Sequence, residues 1–133
     1  MSTQKIADVH TKAWSGVIDQ VRHKAGANAL ISAEELIEFA GGALDRYARG
    51  LLADLLADGA NLHDPGRDST IRRRFAEGLE RAGATLREAL SESRHRHSVS
   101  QVLQRKMFEA ESMFRKALKA QFPDVRTPVT EAV

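Results

Sequence analysis

Glu92 and His95 have the Glu-x-x-His spacing that, on a helix, places a carboxylate and an imidazole on one face. In di-iron helical bundles, two such pairs converge with two further carboxylates to hold the metals. This sequence contains no second pair. On an ideal helix, Glu92 and His95 also lie roughly 100–160° away from the apolar stripe of the preceding helix. The spacing therefore predicts no metal site.

The other histidines do not change this expectation. His95 and His97 are two residues apart and would diverge on a helix, whereas zinc takes three or four ligands. His63 stands beside Asp64 in a loop, with no further ligand evident. His10 falls in the apolar half of the first helix, which predicts a hydrogen-bonded histidine in the core or at its edge. A proton-sensitive contact is the alternative interpretation of His10.

Sequence motifs for enzymatic chemistry are missing. The chain has no cysteine, which excludes disulfides, thiol nucleophiles and thiolate zinc sites. It also lacks a phosphate-binding loop, a dinucleotide-binding glycine motif, a Gly-x-Ser-x-Gly elbow, a His-Glu-x-x-His motif and a calcium loop. We therefore expect a protein that is not an enzyme and that uses no cofactor, metal or small-molecule substrate.

Charge is distributed unevenly along the chain, although its net charge is only +2. Residues 34–66 contain seven acidic residues and two arginines, whereas residues 67–106 contain ten basic residues and five acidic ones. Basic surfaces bind phosphates electrostatically, so nucleic-acid binding is an alternative function. The candidate residues lie along the third helix and around its joint with the fourth: Arg73, Arg74, Arg81, Arg87, Arg94, Arg96, Arg105 and Lys106.

The same arginines also fit a solvated helix face with internal ion pairs. Three consecutive arginines, residues 72–74, spread over about 200° of a helix and do not make one patch. Glu77 is placed to pair with Arg73 or Arg81, each four residues away. No interleaved aromatic residues are available to stack on single-stranded bases. Both interpretations stay open at this point.

Apolar residues recur at helical spacing in four segments, and no alternating strand pattern is present. The pattern predicts helices over about residues 3–25, 33–57, 70–91 and 99–121. Four such helices with short connections favour an all-α, four-helix bundle-like single domain over residues 1–122. Residues 123–133 are predicted to form an extended or flexible tail.

Local signals place the ends of these helices and their buried faces. Ser32 and Glu35 have the spacing of a capping box for the second helix, and Asp68 or Ser69 is expected to cap the third. Each helix carries one apolar stripe, which on the first helix includes Val9 and Ala13. These stripes predict a single core inside the bundle.

The segment Ser91–Ser100, SESRHRHSVS, separates the third and fourth helices. The stripe centre shifts by roughly 100° between these two helices, so one straight helix would not keep both stripes on one core. Serine favours caps and turns over helix interiors. We therefore interpret the segment first as a joint, broken near Ser93–Ser98, and second as a binding site.

Two features of the surface favour contacts with other proteins. Phe108 falls on the polar side of the fourth helix, near Arg115 and Lys119, where an aromatic ring can anchor a partner or be covered by the C-terminal residues. The second helix is apolar on two sides, because Leu52, Leu56 and Phe39 lie off its stripe. This helix is therefore either the most central one of the fold or part of a subunit contact.

The resulting functional hypothesis is a non-enzymatic adaptor or assembly protein that acts through protein–protein contacts. Self-association into a homo-oligomer through the second and fourth helices is its expected form. No stretch is apolar enough for a membrane span or a secretory signal, so we expect a cytoplasmic protein without membrane contact. In composition the chain resembles the small helical accessory proteins of phages and mobile elements.

Overall fold

A computed structural model describes residues 3–61 and 65–123, and all of its regular structure in these ranges is helical. The predicted all-α architecture is confirmed. The helices are α1 (Thr3–Ala25), α2 (Ala33–Gly59), α3 (Arg67–Ala89) and α4 (Arg96–Gln121). The predicted tail lies outside the described residues, except for Pro123.

The predicted ends of the helices need small corrections. Helix α2 is two residues longer at its C-terminus than expected, and α3 and α4 each begin three residues earlier. The predicted cap of α3 is wrong: Gly66 occupies the N-cap without a side-chain hydrogen bond, and Asp68 lies inside the first turn. A carboxylate there still interacts favourably with the positive end of the helix dipole. The Ser32 cap of α2 is confirmed, with the Glu35 N–H donating to Ser32 Oγ at 3.1 Å.

Successive helices run antiparallel, which makes an up-down-up-down bundle. The pairing of α1 with α2 is fixed near its two ends by His10 with Asp54 and by Lys24 with Phe39. Helices α2 and α4 are therefore parallel neighbours, in contact along their length. Helices α1 and α4 are on the long diagonal of the bundle and share no contact within the described ranges.

The core is built from the stripes that the sequence predicted. All of the stripe residues predicted for α2 and α3 are buried, including Leu51 and Leu86, which are both fully inaccessible. Between α3 and α4, the rings of Phe75 and Phe114 stack at 4.2 Å. The exception is α1, where Val9 and Ala13 are exposed although they were expected to face inward. They lie on an outer flank of α1, which has only α2 and α3 as neighbours.

The apolar surplus of α2 is explained by its neighbours, because α2 contacts all three other helices. Leu52 is buried, with 8% of its surface exposed, and Leu56 and Phe39 are half-buried against the core. Lys24 covers the Phe39 ring at 4.9 Å. Of the two interpretations of α2, the structure supports the central helix.

The joint between α3 and α4 is a short turn over Leu90–His95, about three residues earlier than the sequence placed it. Ser93 is buried there, and its hydroxyl accepts a hydrogen bond from the His95 N–H at 3.1 Å. Its own N–H donates to the Leu90 carbonyl at 2.9 Å. The serine thus replaces helical hydrogen bonds at the break, as expected for a turn-forming residue.

Candidate interaction surfaces

The outer face of α4 carries the largest exposed aromatic side chain of the described structure. Phe108 is 73% exposed. Phe108 is five positions after the core residue Leu103. On an ideal helix, the two side chains are therefore about 140° apart around the helix axis. The Phe108 side chain therefore points away from α2 and α3, which are the helices that α4 contacts within the described ranges. The predicted position of Phe108 on the polar side of its helix is confirmed.

The charged residues around Phe108 are mostly basic. Arg115 and Lys119 are exposed and form no ion pair with any residue of the described ranges. Lys106 is the exception on this helix, because its Nζ lies 4.0 Å from Glu109. The face that surrounds Phe108 is therefore net positive, and its arginine and lysine side chains are available to a partner.

A shallow groove of about 640 Å³ begins at Phe108 and runs along one side of α4. Met113 and Ala117 belong to its lining and are half-buried, since they also pack against the core. Ser112 and Lys116 add polar atoms to its lining. The combination of an apolar base, an exposed ring and basic edges is what we call the Phe108 face. It consists of Arg105, Phe108, Glu109, Glu111, Ser112, Met113, Arg115, Lys116, Ala117 and Lys119, and its net charge remains positive.

The predicted interface residues of α2 are not part of this face. Phe39 lies toward α1, as its contact with Lys24 shows. Leu52 is inside the core, and Leu56 offers only a part of its surface. The structure thus brings together Phe108, Arg115 and Lys119 of the predicted interface, and separates the α2 residues from them.

The predicted nucleic-acid residues are spread over several surfaces. On α3, Arg74 pairs with Glu77 at 3.5 Å, in place of the pairing of Glu77 with Arg73 or Arg81 that we expected. Arg81 instead lines a cleft between α1 and α3. The outermost residues Arg73 and Arg87 are exposed, as are Arg94, Arg96 and Arg105.

The basic residues at the joint make local contacts. The Arg96 Nη1 donates to the Ser91 carbonyl at 3.4 Å, and the Arg94 Nε lies 3.2 Å from His95 Nε2. Lys106 faces α2, where its Cε is 3.8 Å from the position that a β-carbon on Gly41 would occupy. No single surface therefore gathers the eight predicted residues.

His10 and His95 each form a polar contact between two separate elements of the fold. His10 Nε2 donates to Asp54 Oδ2 at 2.7 Å across α1 and α2, which confirms a hydrogen-bonded histidine at the edge of the core. His95 Nε2 lies 3.0 Å from the Ile31 carbonyl oxygen, which joins the α3–α4 turn to the start of α2. Across residues 3–61 and 65–123, no group of three His, Asp or Glu side chains is arranged to hold a metal ion. His63 lies outside the described residues.

The sequence did not indicate the cleft between α1 and α3. Its floor holds Trp14 and Tyr47, whose ring centroids are 4.9 Å apart. Trp14 Nε1 donates to Thr85 Oγ1 at 3.0 Å, and the Tyr47 hydroxyl donates to the Gly78 carbonyl at 3.1 Å. Burial raises the pKa of Tyr47 above 10.0, although a hydrogen bond with Thr11 and the charge of Arg81 oppose the shift.

Comparison with protein-family models, with curated proteins and with solved structures finds no significant match to this chain. None of the helices in the described ranges is long and apolar enough to cross a membrane. The functional argument therefore depends on the surfaces themselves.

Proposed function

We propose that this chain is a non-enzymatic helical adaptor that binds a protein partner through the Phe108 face. The observation that carries this proposal is an aromatic ring left 73% exposed among basic residues without ion pairs. Aromatic and arginine side chains supply most of the binding energy in typical interfaces. A phenylalanine with this exposure contributes little to the stability of its own fold, which leaves the ring available to a partner.

The chemistry of the face defines the partner. Burial of a phenylalanine side chain contributes about 2 kcal/mol, so the partner must offer an apolar pocket for the ring. The basic edges formed by Arg115 and Lys119 call for carboxylates beside that pocket. We therefore expect an acidic partner surface, and we expect salt to slow the association.

Self-association through this surface requires that the Phe108 face of one copy meets a different surface of the next. Two Phe108 faces placed against each other would bring like charges together, which opposes a symmetric α4–α4 dimer. The acidic residues of α2, such as Glu35 and Glu38, are exposed and would suit the basic face of a second copy. Such a contact forms a two-fold dimer where two reciprocal α2–α4 contacts are made at once, and a ring or filament where the contact is head-to-tail. Light scattering distinguishes these assemblies by their mass.

The test compares Phe108→Ala with Leu30→Ala, a matched loss of an exposed apolar side chain in the α1–α2 loop. Light scattering across micromolar concentrations measures self-association, and retrieval of partners from the native host, with and without nuclease, measures other binding. We expect Phe108→Ala to abolish binding and Leu30→Ala to leave it intact. A monomer that retrieves no partner, or equal effects of the two variants, would refute the proposal.

A second test isolates the charges. The double variant Arg115→Gln with Lys119→Gln should weaken binding and reduce its salt dependence. The control is Lys12→Gln, which removes an exposed charge from α1. Equal salt dependence of binding in both variants would show that the partner does not contact the basic residues Arg115 and Lys119.

Nucleic-acid binding is the second candidate function, favoured by the exposure of Arg87, Arg94 and Arg96 at the joint end of the bundle. Titration with labelled DNA and RNA at two salt concentrations tests it, because phosphate contacts weaken steeply with salt. Arg94→Ala combined with Arg96→Ala should then lower the affinity. Absence of binding at low salt removes this candidate.

A further inference from the structure

The cleft between α1 and α3 is separate from the Phe108 face, and two aromatic core residues, Trp14 and Tyr47, contribute to its lining. Its volume is about 280 Å³. Trp14 and Tyr47 lie in its floor, and Ala82 and Thr85 of α3 leave the space open because they are small. Since a cavity of about 150 Å³ holds a benzene molecule, this cleft has room for one ring and a polar group.

The polar lining of the cleft is concentrated along its rim. Thr11, Ser15 and Asp19 come from successive turns of α1, and Arg22 closes the row. Ser15 is exposed and makes no hydrogen bond within the described residues. Pockets of this kind bind small molecules by an apolar floor and a few polar groups that fix the orientation.

The two arginines of the rim differ in their availability. Arg22 lies 3.8 Å from Glu88 and one turn from Asp19, so nearby carboxylates offset its charge. Arg81 is exposed and pairs with no carboxylate in residues 3–61 and 65–123. Arg81 lines the cleft together with Trp14 and Tyr47, so its guanidinium is available to a ligand that lies against the aromatic residues. An arginine in this position is suited to a bidentate contact with a carboxylate.

We infer that this cleft binds a small, single-ring aromatic carboxylate, with the ring against Trp14 and the carboxylate on Arg81. A single ring occupies much of the volume of about 280 Å³, and a carboxylate on that ring gains a charge-assisted contact with Arg81 that a neutral ring lacks. The site is independent of the proposed adaptor function, because it lies between α1 and α3 whereas the Phe108 face is on α4.

Trp14 provides the measurement, because it is the sole tryptophan of the chain and gives a single indole N–H signal in an NMR spectrum. Benzoate is titrated into the full chain up to the millimolar range, with benzamide as its neutral counterpart. We expect benzoate to move the indole signal saturably and benzamide to bind about tenfold more weakly, as for loss of one charged hydrogen-bond pair. No saturable shift with benzoate overturns the inference.

Three variants locate the ligand. Arg81→Gln should weaken benzoate binding to the level of benzamide, and Ser15→Phe should block the cleft from its exposed rim. Arg105→Gln removes an equal charge from α4, and Phe108→Ala disables the proposed adaptor surface, so both should bind benzoate like the unmodified chain. Binding that is unaffected by Arg81→Gln, or lost equally in Arg105→Gln, overturns the assignment to this cleft.

Discussion

Helices α2 and α4 are parallel neighbours, and both carry large apolar residues away from their main stripes. The displaced residue of α2 is buried, whereas that of α4 is exposed to solvent. Leu52 of α2 is 8% exposed, whereas Phe108 of α4 is 73% exposed. The difference follows from the number of neighbours: α2 contacts three helices, and α4 contacts only α2 and α3. An apolar residue that lies off the main stripe is therefore buried on a helix with three neighbours, and it stays exposed on a helix with two neighbours.

This comparison separates residues that hold the fold from residues that are free to serve another purpose. On α2, every large apolar side chain packs against another helix to some extent. On α4, the stripe from Val99 to Leu118 holds the helix in place without Phe108. The fold therefore tolerates changes at Phe108 that it would not tolerate on α2.

The largest effect is expected at the centre of α2. Leu51 is completely buried, so Leu51→Ala should lower the free energy of unfolding by about 2–5 kcal/mol through lost burial and a residual cavity. Denaturant unfolding followed by circular dichroism measures this value. A loss below about 1 kcal/mol would mean that α2 is not the packed centre and would break the comparison with α4.

Glycines on the helix faces give the next largest effect. A β-carbon on Gly78 of α3 would lie 2.7 Å from Leu51 Cδ2 and 3.1 Å from the Tyr47 hydroxyl. Overpacking of the contact with α2 costs about 1–3 kcal/mol, and the gain in helix propensity offsets about 1 kcal/mol, so Gly78→Ala should lower stability by up to about 2 kcal/mol. The control is Gly41→Ala on the α4 side of α2, where the nearest atom, Lys106 Cε, is 3.8 Å away.

At Gly41 the expected sign is reversed. Alanine there should be neutral or stabilise by up to about 1 kcal/mol, because it improves helix propensity without a clash. Thermal unfolding of the two variants under one condition compares them. If both variants lose stability equally, the contact of α2 with α4 is as tight as its contact with α3.

Helical periodicity alone was enough to predict the four helices, their stripes and the break between α3 and α4. It failed at Val9 and Ala13. The spacing of apolar residues identifies the apolar side of a helix, but it does not give the width of the surface that the neighbouring helices cover. The same limit applied to α2, where two interpretations of Leu52 stayed open until the arrangement of the helices was known. The position of Phe108 was predictable because it is far from its stripe.

The cleft between α1 and α3 could not be predicted from the sequence. It depends on Trp14 meeting Thr85 and Tyr47 meeting Gly78, residues that are 71 and 31 positions apart. The only local signal was that Gly78 and Thr85 are small or polar residues beside an apolar stripe. Such positions are frequent on helix surfaces and identify no partner without the register of the helices.

The third prediction concerns Tyr47, where α2 meets the cleft. Tyr47→Phe should lower stability by about 1 kcal/mol through loss of the hydrogen bond to the Gly78 carbonyl. Because burial raises its pKa above 10.0, the neutral phenol stabilises the fold fully below pH 10, and this contribution is lost as the pH rises further. Unfolding at pH 8 and above pH 10 should show a gap between the variant and the unmodified chain that narrows with pH. A gap that is constant or widens would contradict the burial of this hydroxyl.

The smallest effect on stability is expected at Phe108. This effect tests whether an apolar residue off the stripe of α4 contributes less to stability than the apolar residues of α2. Phe108→Ala should change the free energy of unfolding by less than about 0.5 kcal/mol, because an exposed side chain loses few contacts. The measurement is denaturant unfolding at a concentration where the chain is monomeric. A loss comparable to that of Leu51→Ala would mean that another part of the chain covers the ring. In that case Phe108 would be buried by its own chain, and Phe108→Ala should no longer affect the binding of a partner.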